Sequence, residues 1–258
     1  MLENFEIFNL ISFPTYNLLI GIGLVMGFIY SDKFNQPIFK DNIFNVYNTI
    51  FISFIVAFLG SRIFDIFFFN KTLSIANVFS GSSAFLGGLI FFVISIFFWS
   101  FVFKFRPLIL LNSLVEPLLI VHFFGRIGCF LAGCCYGSIC HQNFFLGVRF
   151  PEGSIPNNFY GGTYPIHPTQ LYEAVGLLII FFLLKRNQNK LHIYLISYGI
   201  LRFIIEFIRN DDRGEFIFSL ISPSQLISLV FVILGISILC LLKNNKLSFT
   251  KSLEHTKS

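Results

Sequence analysis

SAFLGGLIFFVISIFFWSFVF, residues 83–103, runs for 21 positions without a charged side chain. As an α-helix rising about 1.5 Å per residue, it spans the roughly 30 Å of hydrocarbon in a bilayer. Hydrocarbon offers no water to backbone N–H and C=O groups, and a helix satisfies its own. The stretch is too long for a barrel strand and lacks period-two alternation. Six further apolar runs have the same character, at about residues 14–30, 43–69, 107–124, 168–184, 191–209 and 223–242. The sequence therefore reads as all-α: a polytopic membrane protein of about seven transmembrane helices. A long, polar, Gly/Pro-rich loop from Cys129 to His167 separates helices four and five.

Composition agrees. Of 258 residues, 55% are hydrophobic and 12% charged, where a soluble domain carries about a quarter charged residues. Thirty-eight phenylalanines and a mean hydropathy of +0.77 give more apolar surface than one core can bury. One integral membrane domain over residues 1–243 is expected, followed by a polar, disordered cytoplasmic tail, 244–258. MLENFEIFNL has no basic n-region, so the first apolar run is expected to stay as a helix.

The net charge of +5 does not point to nucleic acid, because the basic residues fall between apolar runs rather than in one patch. They set orientation instead. With the N-terminus outside, Lys33, Lys40, Lys104, Arg106, Lys185, Arg186, Lys190, Lys243, Lys246, Lys251 and Lys257 are cytoplasmic, and only Lys71, Arg149, Arg209 and Arg213 lie opposite. This is the positive-inside bias, and it makes the long loop extracytoplasmic.

Arg62, Arg126 and Arg202 remain, each in or beside an apolar run. An arginine at the bilayer centre costs about 2.5–3.5 kcal/mol on insertion scales. Three together point to an anionic ligand inside the bundle. Arg126 sits in GRIGCFLAGCCYG, Gly125 to Gly137, where the glycines would let backbone approach whatever the guanidinium binds. A snorkelling helix-end arginine explains Arg126 alone equally well. In SYGILRFIIEFIRND, Tyr198, Arg202, Glu206 and Arg209 follow at spacings of four, four and three and would share one helical face, with an Arg202–Glu206 ion pair within it. His167-Pro168-Thr169 reads as a helix start from which Gln170 and Glu173 project, and capping and interhelical hydrogen bonding account for Thr169 and Gln170. Tyr16 suits an interfacial belt, and Gly87-Gly88 suit close helix packing.

Cys129, Cys134, Cys135 and Cys140 are clustered and Cys240 stands apart, so the odd count does not form a disulfide framework. Cys129-x4-Cys134, the adjacent Cys135 and Cys135-x4-Cys140-His141 could supply four or five ligands, but their gaps are the longest of the two to four residues usual in a zinc knuckle, and a redox CxxC is absent. The cysteines are expected to pack a glycine-rich turn, with no metal.

PTYNLL at Pro14, GSRIFD at Gly60, SSAFLGGLI at Ser82, GRIGCFLAGCCYG, HPTQLYEA, YGILRFIIEFIR and SPSQLISL at Ser222 occur in the order found in the prolipoprotein diacylglyceryl transferases, and the chain resembles that family over nearly its whole membrane region. The resemblance implies a bacterial inner-membrane enzyme with its site open to the outer leaflet. It implies transfer of a diacylglyceryl group from phosphatidylglycerol to the lipobox cysteine of a preprolipoprotein signal peptide. Glycerol phosphate leaves, and neither a metal nor an organic cofactor takes part. Carried over, Arg126, Arg202, Tyr16 and Tyr198 match catalytic positions. Gly137, Gly87, Gly88, His167, Gln170, Glu173, Glu206 and Arg209 match positions that bind substrate. Two departures stand out. Leu86 occupies the place of a histidine often proposed as the base, and Cys129 and Cys134 replace an Asn and a Glu. His122, His141, His167 or a tyrosine could then serve as base, or the arginines could stabilise the thiolate directly. The rival readings are a phospholipid-binding relative without thiol transfer and a membrane thiol-redox or metal protein.

Overall fold

The computed structural model describes residues 4–7, 11–35, 38–39, 42–68, 85–210 and 221–244. The protein is mostly helical. An antiparallel hairpin, β1 (Asn4–Ile7) and β2 (Ile11–Pro14), precedes α1 (Thr15–Asn35). Then come α2 (Ile43–Phe68), α3 (Phe85–Val102) and α4 (Pro107–Ala132). The next segment carries β3 (Val148–Arg149), the short α5 (Ile155–Tyr160) and β4 (Pro165–Ile166). Three helices close the fold: α6 (Thr169–Leu184), α7 (Lys190–Glu206) and α8 (Pro223–Lys243).

Among the described residues, Ile43–Phe64, Pro107–Ala132 and Pro223–Lys243 are long and apolar enough to cross a membrane, and Gly87–Val102 and Thr169–Leu184 are shorter apolar helices. Phe51, Phe101, Phe182 and Ile233 stand exposed on these helices. Such a surface suits hydrocarbon rather than water. The expected tail lies almost wholly outside the described residues, as do Lys71, Arg213 and the Leu86 side chain.

Residues 34–111 form one compact unit. Within it α2 and α3 approach through paired small residues. A Cβ on Gly60 would come within 2.3 Å of the Phe91 ring, and one on Gly87 within 2.3 Å of Phe64 Cβ. Gly88 faces the Ala57 carbonyl and Ser61, so both glycines of the LGG motif pack against α2. Ser53 donates to Ser95 across the same seam at 2.9 Å. Gly60→Val is expected to destabilise this pair by about 1–3 kcal/mol through overpacking. Thermal unfolding in detergent checks it, with Gly21→Ala, where no atom lies within 4 Å of the new Cβ, as the unperturbed control.

The second unit joins residues 1–33 to 112–258. Two expectations are corrected within it. First, α4 does not stop near residue 124 but continues to Ala132, so GRIGCFLA is helical and the non-helical segment begins at Gly133. Glycine costs about 1 kcal/mol in a helix interior, but here α1 fills the space. A Cβ on Gly128 would touch Tyr16 at 3.1 Å and one on Gly125 would touch Ile20 at 3.1 Å. Both glycines thus receive α1. Second, α7 ends at Glu206, so Arg209 does not continue the face of Tyr198, Arg202 and Glu206. The chain leaves the helical ladder there to bridge residues 136–138. Ser138 N donates to Ile208 O at 2.8 Å, Asn210 N donates to Tyr136 O at 3.4 Å, and Gly137 pairs with Arg209.

The segment between α4 and α6 is ordered by a small core of Tyr136, Phe150 and Ile166, with Phe130, Val148 and Tyr160 against it. The far end of α7 is capped from α4. Asn112 Oδ1 accepts the N–H groups of Lys190 at 2.7 Å and Leu191 at 2.9 Å, and Lys190 forms an ion pair with buried Glu116.

Candidate active site

Three helix ends bring the polar residues together: the last turns of α4, the first turn of α6 and the last turns of α7. Thr169, Gln170 and Glu173 are each only 1% exposed. Glu173 is the hub. Its Oε1 accepts Arg126 Nη2 at 2.9 Å and the Tyr198 hydroxyl at 3.0 Å, with His122 Nε2 at 3.5 Å. Arg126 Nε donates to the same His122 nitrogen at 3.3 Å. An imidazole nitrogen that accepts carries no proton there, so this arrangement fits a neutral His122 rather than an ion pair with Glu173. The buried guanidinium thus has its compensating carboxylate, as its location requires. Arg202 and Arg209 also lie within electrostatic reach of Glu173.

Arg202 forms a second cluster. Its Nη2 pairs with Glu206 Oε2 at 2.6 Å and donates to Ser224 Oγ at 3.1 Å. Ser222 Oγ donates to Glu206 Oε1 at 2.7 Å while closing a capping box with Gln225 on α8. Arg202 is 6% exposed, and among the described residues its Nη1 has no hydrogen-bond partner. A buried donor of this kind costs about 1–3 kcal/mol when unmet. Ser222 and Ser224 were not singled out by sequence reasoning, although the S-x-x-Q spacing of SPSQ is a capping-box pattern. Ser222→Ala is expected to lower stability by about 1–2 kcal/mol through the lost cap. Urea unfolding monitored by circular dichroism measures that loss.

The cysteines follow from how α4 ends. Gly133 adopts a φ of +71°, and its N–H reaches Phe130 O at 3.2 Å while Cys134 N–H reaches Cys129 O at 3.1 Å. This pair of bonds is a Schellman motif, and it folds the chain back so that Cys134 lies over Cys129. Cys135 then takes a φ of +65°, a left-handed conformation that costs a non-glycine residue about 1–3 kcal/mol. Thr169 Oγ1 holds the Cys135 carbonyl at 2.8 Å and Gln170 Nε2 the Cys134 carbonyl at 2.6 Å. The three sulfurs lie within 4.8 Å of one another. Hydrogen bonds from the other two thiols, with the charges of Arg209 and Arg126 behind them, hold the Cys135 thiol well below the usual cysteine range.

The remaining candidates are distributed around these clusters. Tyr16 is exposed and lies against Gly128. Gly137 donates to the His167 carbonyl at 3.0 Å and accepts from Tyr160 at 3.0 Å, and a Cβ there would sit 2.8 Å from that carbonyl. The His167 ring meets the Tyr172 hydroxyl at 3.1 Å and Phe144. Cys140 packs beside Gly147, apart from the other thiols. Arg62 lies over Phe58 in the other unit.

Comparison with known proteins gives a consistent family. The LGT family, described as prolipoprotein diacylglyceryl transferase, matches residues 4–241. A phosphatidylglycerol--prolipoprotein diacylglyceryl transferase of Clostridium tetani is 32% identical over 250 residues, covering 90% of this chain and 94% of that protein. One from Clostridium perfringens, numbered 2, is 32% identical over 243 residues, covering 89% and 90%. Another, from Streptococcus uberis, is 32% identical over 247 residues, covering 90% and 91%.

Proposed function

The chain belongs to the prolipoprotein diacylglyceryl transferase family, and from that premise we propose how its own residues carry out the transfer. The reaction moves the diacylglyceryl group of phosphatidylglycerol to the thiol of a preprolipoprotein cysteine. The thiol loses its proton, and the thiolate attacks the glycerol carbon that bears the phosphate. A C–S bond forms, the C–O bond to phosphate breaks, and the electron pair leaves on the glycerol phosphate.

Negative charge grows on the phosphate oxygen, so catalysis needs fixed donors in a water-poor site. The observation that carries the reading is the Nη1 of buried Arg202, which has no hydrogen-bond partner among the described residues. It offers one arm of a planar fork while Glu206 and Ser224 fix the other, and such a fork suits phosphate. Arg126 supplies the second cation. Glu173 orients Arg126 and Tyr198 together, and Tyr16 and Tyr198 position headgroup or thiol. Gln170, His167, Gly137 and Arg209 fix the walls of the site.

In the membrane we read seven crossings, with the N-terminus outside and the site open to the outer leaflet of the bacterial inner membrane. The charge bias of the connecting segments supports that orientation. The second reading, a phospholipid-binding protein without thiol transfer, rests on Leu86 at the histidine position. Mass spectrometry of a lipobox peptide incubated with the protein and phosphatidylglycerol separates the two. A diacylglyceryl mass increment on the cysteine is expected, and its absence with membrane-inserted protein overturns the reading.

A further inference from the structure

The transfer needs a thiolate, and the histidine position is Leu86. The structure offers a different means of making one. We propose that Cys129, Cys134 and Cys135 bind a zinc ion through three thiolates, leaving a fourth position that takes the incoming lipobox cysteine as a thiolate. The inference rests on the transferase reading for its substrate but not for its metal.

Three observations carry it. The sulfurs lie within 4.8 Å of one another. Tetrahedral zinc with bonds of about 2.3 Å sets ligating sulfurs about 3.8 Å apart, so side-chain adjustment closes the site. The turn is also held more firmly than packing demands. Both vicinal carbonyls are bonded to fully buried side chains of α6, and Cys135 keeps a left-handed backbone that glycine would adopt without strain. Finally, Arg126 lies three residues before Cys129 on α4, so the two side chains share a helical face. The open position would therefore lie near the phosphate-binding cation.

Soft sulfur donors select ions such as zinc over magnesium or calcium. Three protein ligands with one place left open is the arrangement of catalytic rather than structural zinc. Zinc carries two positive charges against three thiolates, and Arg126 and Arg209, both within electrostatic reach of Cys135, offset the remainder. A thiol that coordinates the ion gives its proton to water and is deprotonated without a histidine. Its sulfur then attacks the glycerol carbon, the C–O bond breaks toward phosphate, and the thioether, a weaker ligand, departs.

The test uses the full chain in detergent, purified without chelator. About one zinc per chain is expected by elemental mass spectrometry, falling at least tenfold in Cys129→Ser and unchanged in Cys240→Ser. Cobalt in place of zinc should give a sulfur-to-cobalt charge-transfer band that intensifies with a lipobox peptide and not with its Cys→Ser counterpart. This spectrum is read on the unsubstituted chain, so it stands even if the variant fails to fold. Substoichiometric zinc without that band, or a disulfide between two of the three cysteines in unreduced protein, overturns the site. Undiminished lipidation by metal-free protein overturns the role in activation. Zinc-loaded protein that binds the peptide thiol but never transfers a diacylglyceryl group keeps the site and overturns the transferase reading instead.

Discussion

Arg202→Gln is expected to lower diacylglyceryl transfer by roughly 10²–10³-fold, the loss seen when one preorganised donor to a developing anion is removed. Glutamine keeps much of the side-chain length but loses both the charge and the fork. The neighbours make the effect readable. Ser222 still donates to Glu206 and caps α8, so the local frame survives. Arg202→Lys separates charge from geometry: lysine is a point charge and cannot hold Glu206 with one arm while offering another to phosphate. Lysine should recover less than a tenth of the loss if the fork matters. Rates are followed on a fluorescent lipobox peptide, with membrane insertion checked by gel filtration and a melting curve. Full transfer by Arg202→Gln would remove Arg202 from the phosphate.

That expectation comes from sequence spacing sharpened by structure, and the two contributed unequally. Apolar runs were legible because burial in hydrocarbon demands continuity, which periodicity reports directly. The Arg202–Glu206 pair was legible because i,i+4 neighbours on a helix must meet. The Arg126–Glu173 pair was not, since 47 residues separate them and only the docking of α6 against the end of α4 joins them. The boundary of α4 misled because glycines read as a turn when the packing of Tyr16 and Ile20 is invisible. Arg209 misled similarly, because its pairing with Gly137 ends the helical ladder from outside. The thiols were the hardest case. A four-residue gap is the longest usual in a metal knuckle, and on a loop it does not say that the two sulfurs approach one another. With Cys129 inside a helix and Gly133 reversing the chain, that gap brings the two sulfurs within 4.8 Å.

Glu173→Ala is expected to be the most destabilising single change in the site, at about 3–5 kcal/mol, because it leaves the Arg126 charge buried without its partner. Tyr198 would lose its acceptor at the same time. A loss of transfer in that variant would therefore be uninformative about chemistry. The informative comparison is the double variant Arg126→Met/Glu173→Met. Replacing both members of a buried ion pair with apolar side chains of similar volume is often neutral for stability, so its thermal unfolding should return to near that of the unsubstituted protein. Its transfer activity should not return. If Arg126 serves only as the counter-charge of Glu173, removing both restores everything. If it also meets the lipid phosphate, stability recovers while transfer stays reduced by roughly 10²-fold or more. A stable double variant that lipidates its peptide normally would make the pair a structural strut between α4 and α6, and would leave Arg202 alone to bind the headgroup.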